Sequence, residues 1–198
     1  MPAAPVHVLA SVAVSLDGRI DDTRPDRLVL SSPEDLDRVD EVRAGVDAIL
    51  VGAGTVRADD PRLQVRSPER RAARAARGEP ETPLRVVLAG RRPLDPAARV
   101  LDDGGALVLR DPPSVAAVLA ELAARGVRRL LVEGGTAVHT AFLAADAVDE
   151  LHLAVAPLLV GDGPRFVHPA VFPPGRLRLV GAGAAGDTAV LRYARAPR

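Results

Sequence analysis

The sequence predicts an α/β fold of the three-layer kind, resembling a sandwich: a mixed, mostly parallel central sheet, helices on both faces, and antiparallel strands at the C-terminal end. Three observations carry this reading. Short continuous apolar runs recur along the chain, helical patterns alternate with them, and the C-terminal portion reads as strand after strand. Runs that are apolar on both faces suit strands covered from both sides, as parallel sheets require.

Taken in order, HVLASVAVS (7–15) opens as a strand. SPEDLDRVDEVRAG (32–45) is a helix: Ser32 stands where a cap is needed, Pro33 fits the first turn, and Glu34 and Asp35 meet the positive end of the helix dipole. VDAILVG (46–52) is the next strand. SPERRAARAARGEPETP (67–83) then interrupts the alternation. Its Arg70, Arg71, Arg74 and Arg77 would share one face of a helix and attract phosphate, but the run reads more simply as a polar surface excursion. LRVVLAG (84–90) and ALVL (106–109) are strands, and PPSVAAVLAELAARG (112–126) is a helix closing on Gly126. RRLLVEGG (128–135) is a strand that leads into the helix TAVHTAFLAADA (136–147). ELHLAVAPLLVG (150–161), LRLVG (177–181) and TAVLRYA (188–194) complete the strands.

At 198 residues the chain suits one domain, 1–198, with a substantial core. A hydrophobic content of 47% excludes a disordered chain, and a net charge of +0 gives no electrostatic reason to expect nucleic acid or an anionic membrane. The expected partner is a small molecule. With Cys 0 there is no disulfide framework or thiolate chemistry, and the N-terminal MPAAPVHVLASVAVSLDG lacks the basic start of a signal peptide. No apolar run approaches the roughly 20 residues of a membrane helix. A soluble, cytoplasmic protein is expected. All 26 basic residues are arginine, which excludes Schiff-base and P-loop lysine chemistry. Aromatics are only 2%, so a bound ring would lie against aliphatic walls or peptide planes. His7, His139, His152 and His168 share no metal-ligand spacing, and no metal is expected.

Two glycine-rich strand ends stand out. Strand 46–52 runs into Gly52-Ala53-Gly54-Thr55, where absent side chains let main-chain N–H groups approach a ligand; a simple turn would look the same. RLLVE (129–133) runs into Gly134-Gly135-Thr136 at the start of a helix, an arrangement that holds phosphate or makes a plain turn. Two such sites suggest a ligand with several phosphates, such as a dinucleotide. Asp59-Asp60-Pro61 is either a structural turn or, flanked by Arg57, Arg62 and Arg66, part of a phosphorylated substrate's site. Glu133 places a carboxylate at the carboxyl edge of the sheet, where α/β proteins bind ligands.

Ser15-Leu16-Asp17-Gly18-Arg19, Val42-Arg43-Ala44 with AILVGAGTVRADDPRLQVR (48–66), and Val132-Glu133-Gly134-Gly135-Thr136 followed by VDELHLAVAPLLVG resemble, in that order, the riboflavin-pathway pyrimidine reductases. The resemblance covers residues 6 to 193. It implies a dihydrofolate reductase-like fold and a homodimer. It also implies an NADPH-dependent reductase that converts the ribosyl unit of 5-amino-6-(5-phosphoribosylamino)uracil, or its diaminopyrimidinone analogue, to a ribityl chain. By the resemblance Ala13, Thr55, Asp59, Gly90 and the turn of Gly135, Thr136, Ala137, Val138, His139, Thr140 and Ala141 meet the cofactor, while Arg43, Leu63, Arg66 and Glu133 face the substrate. Asp59 and Glu133 are the candidate proton donors, with water as the alternative. Arg91 and Arg92, just past a strand end, are candidates for the 2′-phosphate of NADPH. Asp17 either orders its loop over the nicotinamide or simply makes a turn.

The chain departs from the family pattern in DDTRPDRLVLSS (21–32), where Arg27, by its place also a substrate-binding candidate, and Val29 stand at the places of a small polar contact and a tryptophan. The His/Cys zinc signature of the deaminase that often accompanies these reductases is absent. Reduction of another heterocycle or C=N bond is the alternative activity, and a catalytically silent NADPH-binding module the alternative class.

Overall fold

A computed structural model describes residues 5–24, 28–102, 105–174 and 177–196. Eight strands form one sheet: β1 (His7–Ser15), β2 (Ala48–Gly52), β3 (Leu84–Ala89), β4 (Leu107–Arg110), β5 (Arg129–Gly134), β6 (Glu150–Ala156), β7 (Leu177–Ala185) and β8 (Thr188–Arg195). Their spatial order is β4-β3-β2-β5-β1-β6-β8-β7. From β4 to β6 all neighbours are parallel, while β8 runs antiparallel to both β6 and β7. The expected parallel sheet with an antiparallel finish is therefore present. β5 lies between β1 and β2, so the carboxyl ends of three strands distant in sequence converge.

Alternation along the central strands splits the core in two. Val8, Leu50, Val86, Leu130 and Val132 face one side, under Val118 and Leu122 of α4 (Val115–Ala124) and Phe142 of α5 (Thr136–Ala144). Leu9, Ile49, Val51, Val87 and Leu131 face the other. There they meet Val42 of α1 (Pro33–Ala44) and Val56 of α2 (Ala53–Asp59). Each face stays out of water, which is why these strands read as unbroken apolar runs.

α1 forms as its sequence requires. The Ser32 side chain accepts from the Asp35 N–H, Pro33 occupies the first turn, and the helix stops at Gly45. Two helices differ from expectation. α2 starts directly at the end of β2, where Gly-Ala-Gly-Thr reads as a turn; its seven residues are too few to show helical periodicity. α3 (Pro68–Ala76) occupies much of the 67–83 segment, capped by Ser67. Three of its arginines are engaged within the protein. Arg70 pairs with Asp37 and Asp40, and Arg77 with Glu79. Arg74, only 2% exposed, donates to the carbonyls of Ala44, Val46 and Pro80. β6 stops at Ala156 rather than 161, because Pro157 has no N–H to continue the ladder. Among the described residues no helix is long and apolar enough to cross a membrane.

Candidate active site

The floor of the site is made of glycine because two helices start side by side. A Cβ on Gly52 would stand 2.9 Å from Val138 Cγ2 of α5. A Cβ on Gly134, whose φ is 112°, would stand 2.9 Å from His139 Nε2, and one on Gly135 3.1 Å from Thr55 Oγ1. Only side-chain-free residues let β2, β5 and the first turns of α2 and α5 approach so closely. Gly54 faces open space, with no atom within 4 Å of a would-be Cβ. The result is a surface of bare backbone at the carboxyl edge of the sheet.

Above this floor lies a cleft of two chambers, of about 300 and 380 Å³, which share Arg43, Thr55, Asp59, Arg66 and Glu133. Arg43 from α1 grips Glu133 from β5 with two hydrogen bonds of 2.7 Å, and a third donor reaches the Gln64 carbonyl at 3.1 Å. Burial disfavours the charge on Arg43, but Glu133 more than compensates, so its pKa stands above the ordinary arginine value.

Arg66 is presented by a second device. Buried Asp40 accepts from the main-chain N–H groups of Arg66 (2.5 Å) and Ser67 (3.1 Å) and from Arg70 Nη1 (3.0 Å). Burial alone would raise the Asp40 pKa; these donors outweigh it and lower it. The backbone at Arg66 is thereby pinned, while its guanidinium is exposed and makes no hydrogen bond or ion pair among the described residues. Asp60 closes α2 in the left-handed region and accepts from the Arg99 N–H at 2.8 Å.

Asp17 ties the loop after β1 to the loop after β6. It accepts from Ser15 Oγ (2.6 Å) and from the N–H groups of Val160 (3.0 Å) and Gly161 (2.7 Å), which hold its pKa far below the usual carboxylate range. His139 is 1% exposed, its ring packs edge-on against Phe166, and neither ring nitrogen has a hydrogen-bond partner among the described residues. Burial pushes its pKa down to about 4, against a smaller upward pull from Glu133.

Of the residues singled out in the sequence, Ala13, Arg43, Thr55, Asp59, Arg66, Glu133, Gly135 and His139 line the cleft. Leu63 lines one chamber but buries its side chain in the core, at 2% exposure. Val138 packs under Gly52, and Ala137 and Ala141 are exposed on α5. The hydroxyls of Thr136 and Thr140 donate to the Arg165 and Thr136 carbonyls. Gly90, Arg91 and Arg92 lie exposed beyond β3, and the loop after β4 brings Asp111 Oδ1 to 3.6 Å from a would-be Cβ on Gly90, an acid not anticipated there. Arg27 lies outside the described residues. Sequence reasoning missed Ser11, Asp21, Asp35 and Arg38 as cleft residues. Ser11 sat in an apolar strand, and Asp35 was accounted for by the helix dipole. A polar residue interrupting a buried strand beside a helix start is the signal that could have found them.

The family model of the RibD C-terminal domain matches residues 6–191. A 2,5-diamino-6-ribosylamino-4(3H)-pyrimidinone 5′-phosphate reductase of Archaeoglobus fulgidus is 38% identical over 179 residues, 78% of this chain and 82% of that protein. Acinetobacter baumannii RibD superimposes with a TM-score of 0.83 at 24% identity, over 98% of this chain and 59% of that longer one. Dihydrofolate reductase of Enterococcus faecalis, complexed with NADP(H), superimposes with a TM-score of 0.59 at 19% identity, over 96% of this chain and 97% of that one. The two structural likenesses show a shared fold of the dihydrofolate reductase kind.

Proposed function

The chain belongs to the RibD C-terminal domain family of riboflavin-pathway pyrimidine reductases, and from that premise we propose an NADPH-dependent reductase of a phosphorylated ribosylaminopyrimidine. The substrate is the aminouracil or its diaminopyrimidinone analogue, and its ribosyl unit becomes a ribityl chain. One observation carries the reading: Arg43, Thr55, Asp59, Arg66 and Glu133, from three separate segments, line one cleft over a glycine floor.

That floor fits a nicotinamide dinucleotide. Gly54, Gly134 and Gly135 leave bare peptide for a flat ring and a pyrophosphate, and α5 begins beside them, the N–H groups of Val138 and His139 already turned onto the Gly135 carbonyl and those before them open to a ligand. Thr55 adds a hydroxyl. Arg91 and Arg92, with no ion pair among the described residues, are assigned to the 2′-phosphate. When bound, the reduced nicotinamide supplies the hydride taken up by the sugar carbon.

The protein's own work is positioning. Arg66 holds the substrate phosphate, Arg43 fixes Glu133, and Glu133 accepts hydrogen bonds from the substrate. A carboxylate gripped by two guanidinium N–H groups acts as an acceptor, so the proton-handling role falls to Asp59 or to water. Leu28, Val29, Leu30, Leu36 and Val39 give the cleft an aliphatic wall that excludes water from the reacting atoms. The exposed apolar residues Leu179 and Val180 on edge strand β7, with Leu159 nearby in sequence to β6, support a homodimer. Val29, exposed where an aromatic wall is expected by family resemblance, favours reduction of a different heterocycle as the second reading.

NADPH binding followed by fluorescence, then loss of nicotinamide absorbance on adding the phosphoribosylaminopyrimidines, tests this. Binding with turnover is expected. Binding without turnover transfers the case to another heterocycle, and no binding overturns the reductase reading.

A further inference from the structure

One buried carboxylate oxygen in the cleft has no donor among the described residues. Asp35, in the first turn of α1, is 0% exposed and lines the chamber of about 300 Å³ together with Leu36 and Val39. Arg38 takes its Oδ1 twice, from Nε at 2.8 Å and from Nη2 at 2.7 Å, whereas Oδ2 has no hydrogen-bond partner among the described residues. The other cleft carboxylates differ. Glu133 has both oxygens held by Arg43, and Asp21 Oδ1 accepts from the N–H groups of Asp22 and Leu28.

A buried carboxylate oxygen without a donor is costly, and a ligand that brings a donor to it is bound the more tightly for it. Asp35 is also held in direction. Arg38 lies 3.4 Å from His152 Nδ1, and His152 Nε2 lies 3.7 Å from Glu150 Oε2, so the guanidinium that grips Oδ1 is itself fixed from behind. Ser11, on β1 opposite His152 of β6, adds a hydroxyl with no side-chain hydrogen bond among the described residues.

We propose that Asp35 reads the pyrimidine ring, its Oδ2 accepting from an exocyclic amino group, so that the site takes the diaminopyrimidinone form in preference to the aminouracil form. The inference rests on the pyrimidine reductase reading above. The uracil form carries a carbonyl oxygen where the diaminopyrimidinone carries the amino group. Facing Asp35, that oxygen sets two acceptors against each other, and a site built to accept an N–H discriminates strongly against an analogue lacking it.

The test compares steady-state turnover of both substrates by the full chain, with calorimetric binding of each in the absence of nicotinamide. The wild-type protein is expected to show kcat/KM at least tenfold higher for the diaminopyrimidinone, with affinity in the same order. Asp35→Asn replaces the acceptor by an amide that can donate to the uracil carbonyl. It is expected to lower this preference at least tenfold, through KM and affinity for the diaminopyrimidinone. Equal wild-type efficiency and affinity for the two substrates overturns the proposal while the reductase reading stands. So does an equal loss on both in Asp35→Asn with a lowered melting temperature. Should that variant not fold, the wild-type preference decides alone. Turnover of neither substrate by the wild-type protein overturns the reductase reading and this inference together.

Discussion

Arg43 and Glu133, 90 positions apart in the chain, face each other in a parallel two-bond grip, each bond 2.7 Å long and each side chain 12% exposed. The pair fastens α1 to the carboxyl end of β5, so a helix wall and a strand end of the cleft are set relative to one another by one guanidinium.

Glu133→Gln removes the charge and one acceptor while leaving the guanidinium in place. Stranding a largely buried charge costs about 3 kcal/mol. Thermal melting is expected to show that loss, and turnover under saturating conditions to fall at least tenfold. A variant with wild-type stability would show that the grip is dispensable to the fold.

Arg66→Ala separates binding from folding. The exposed guanidinium has no partner among the described residues, so its removal is expected to change stability by less than about 0.5 kcal/mol. Loss of a charged contact to phosphate is expected to raise KM for the phosphorylated substrate roughly tenfold or more. An unphosphorylated analogue should be turned over equally by both proteins.

Gly52→Ala sets a methyl group 2.9 Å from Val138 Cγ2 and is expected to destabilise by about 1–3 kcal/mol. Val138→Ala removes the obstructing atom. In a double-mutant cycle the paired variant is expected to be more stable than the sum of the single losses by about 1 kcal/mol. A strictly additive result would place the Gly52 requirement elsewhere.

His139 makes stability sensitive to mild acid. Its pKa is about 4 in the folded protein, against an ordinary value of 6.5, so between these values the unfolded chain binds the proton more readily. Its contribution is present in full above pH 6.5 and is lost as pH falls toward 4, an effect on the order of 3 kcal/mol. Melting temperatures across that window are expected to fall more steeply for the wild-type protein than for His139→Asn, although the variant is the less stable at neutral pH. Parallel pH profiles would exclude the histidine as the cause.

The strands were legible wherever burial is two-sided, because Leu84–Ala89 and Arg129–Gly134 need apolar residues on each face and so show unbroken runs. The start of α1 was legible from Ser32 and Pro33, whose roles are local. Arg74 was not, since nothing in a polar run announces that one guanidinium will be enclosed by carbonyls from two other segments. Asp59, Arg66 and Glu133 were marked by charge gathered just past strand ends, while Arg43 was found only through resemblance to a family. Asp35 escaped both routes: its place in a first helical turn already had a local explanation, and only the neighbouring surfaces of α1 and β1 turn it toward a ligand cleft.

The placement of β5 between β1 and β2 also orders how the protein is made. A chain emerging N-terminus first produces β1 and β2, then β3 and β4, before Arg129 begins the strand that joins them. Until then β2 keeps one edge, and β1 both edges, of unpaired N–H and C=O groups beside apolar side chains, the kind of edge that invites pairing with another chain. Closure then depends on contacts far apart in sequence, which form slowly. The strand that carries Glu133 to the cleft is thus also the one that joins the two early parts of the sheet, with β6 still to cover the far edge of β1.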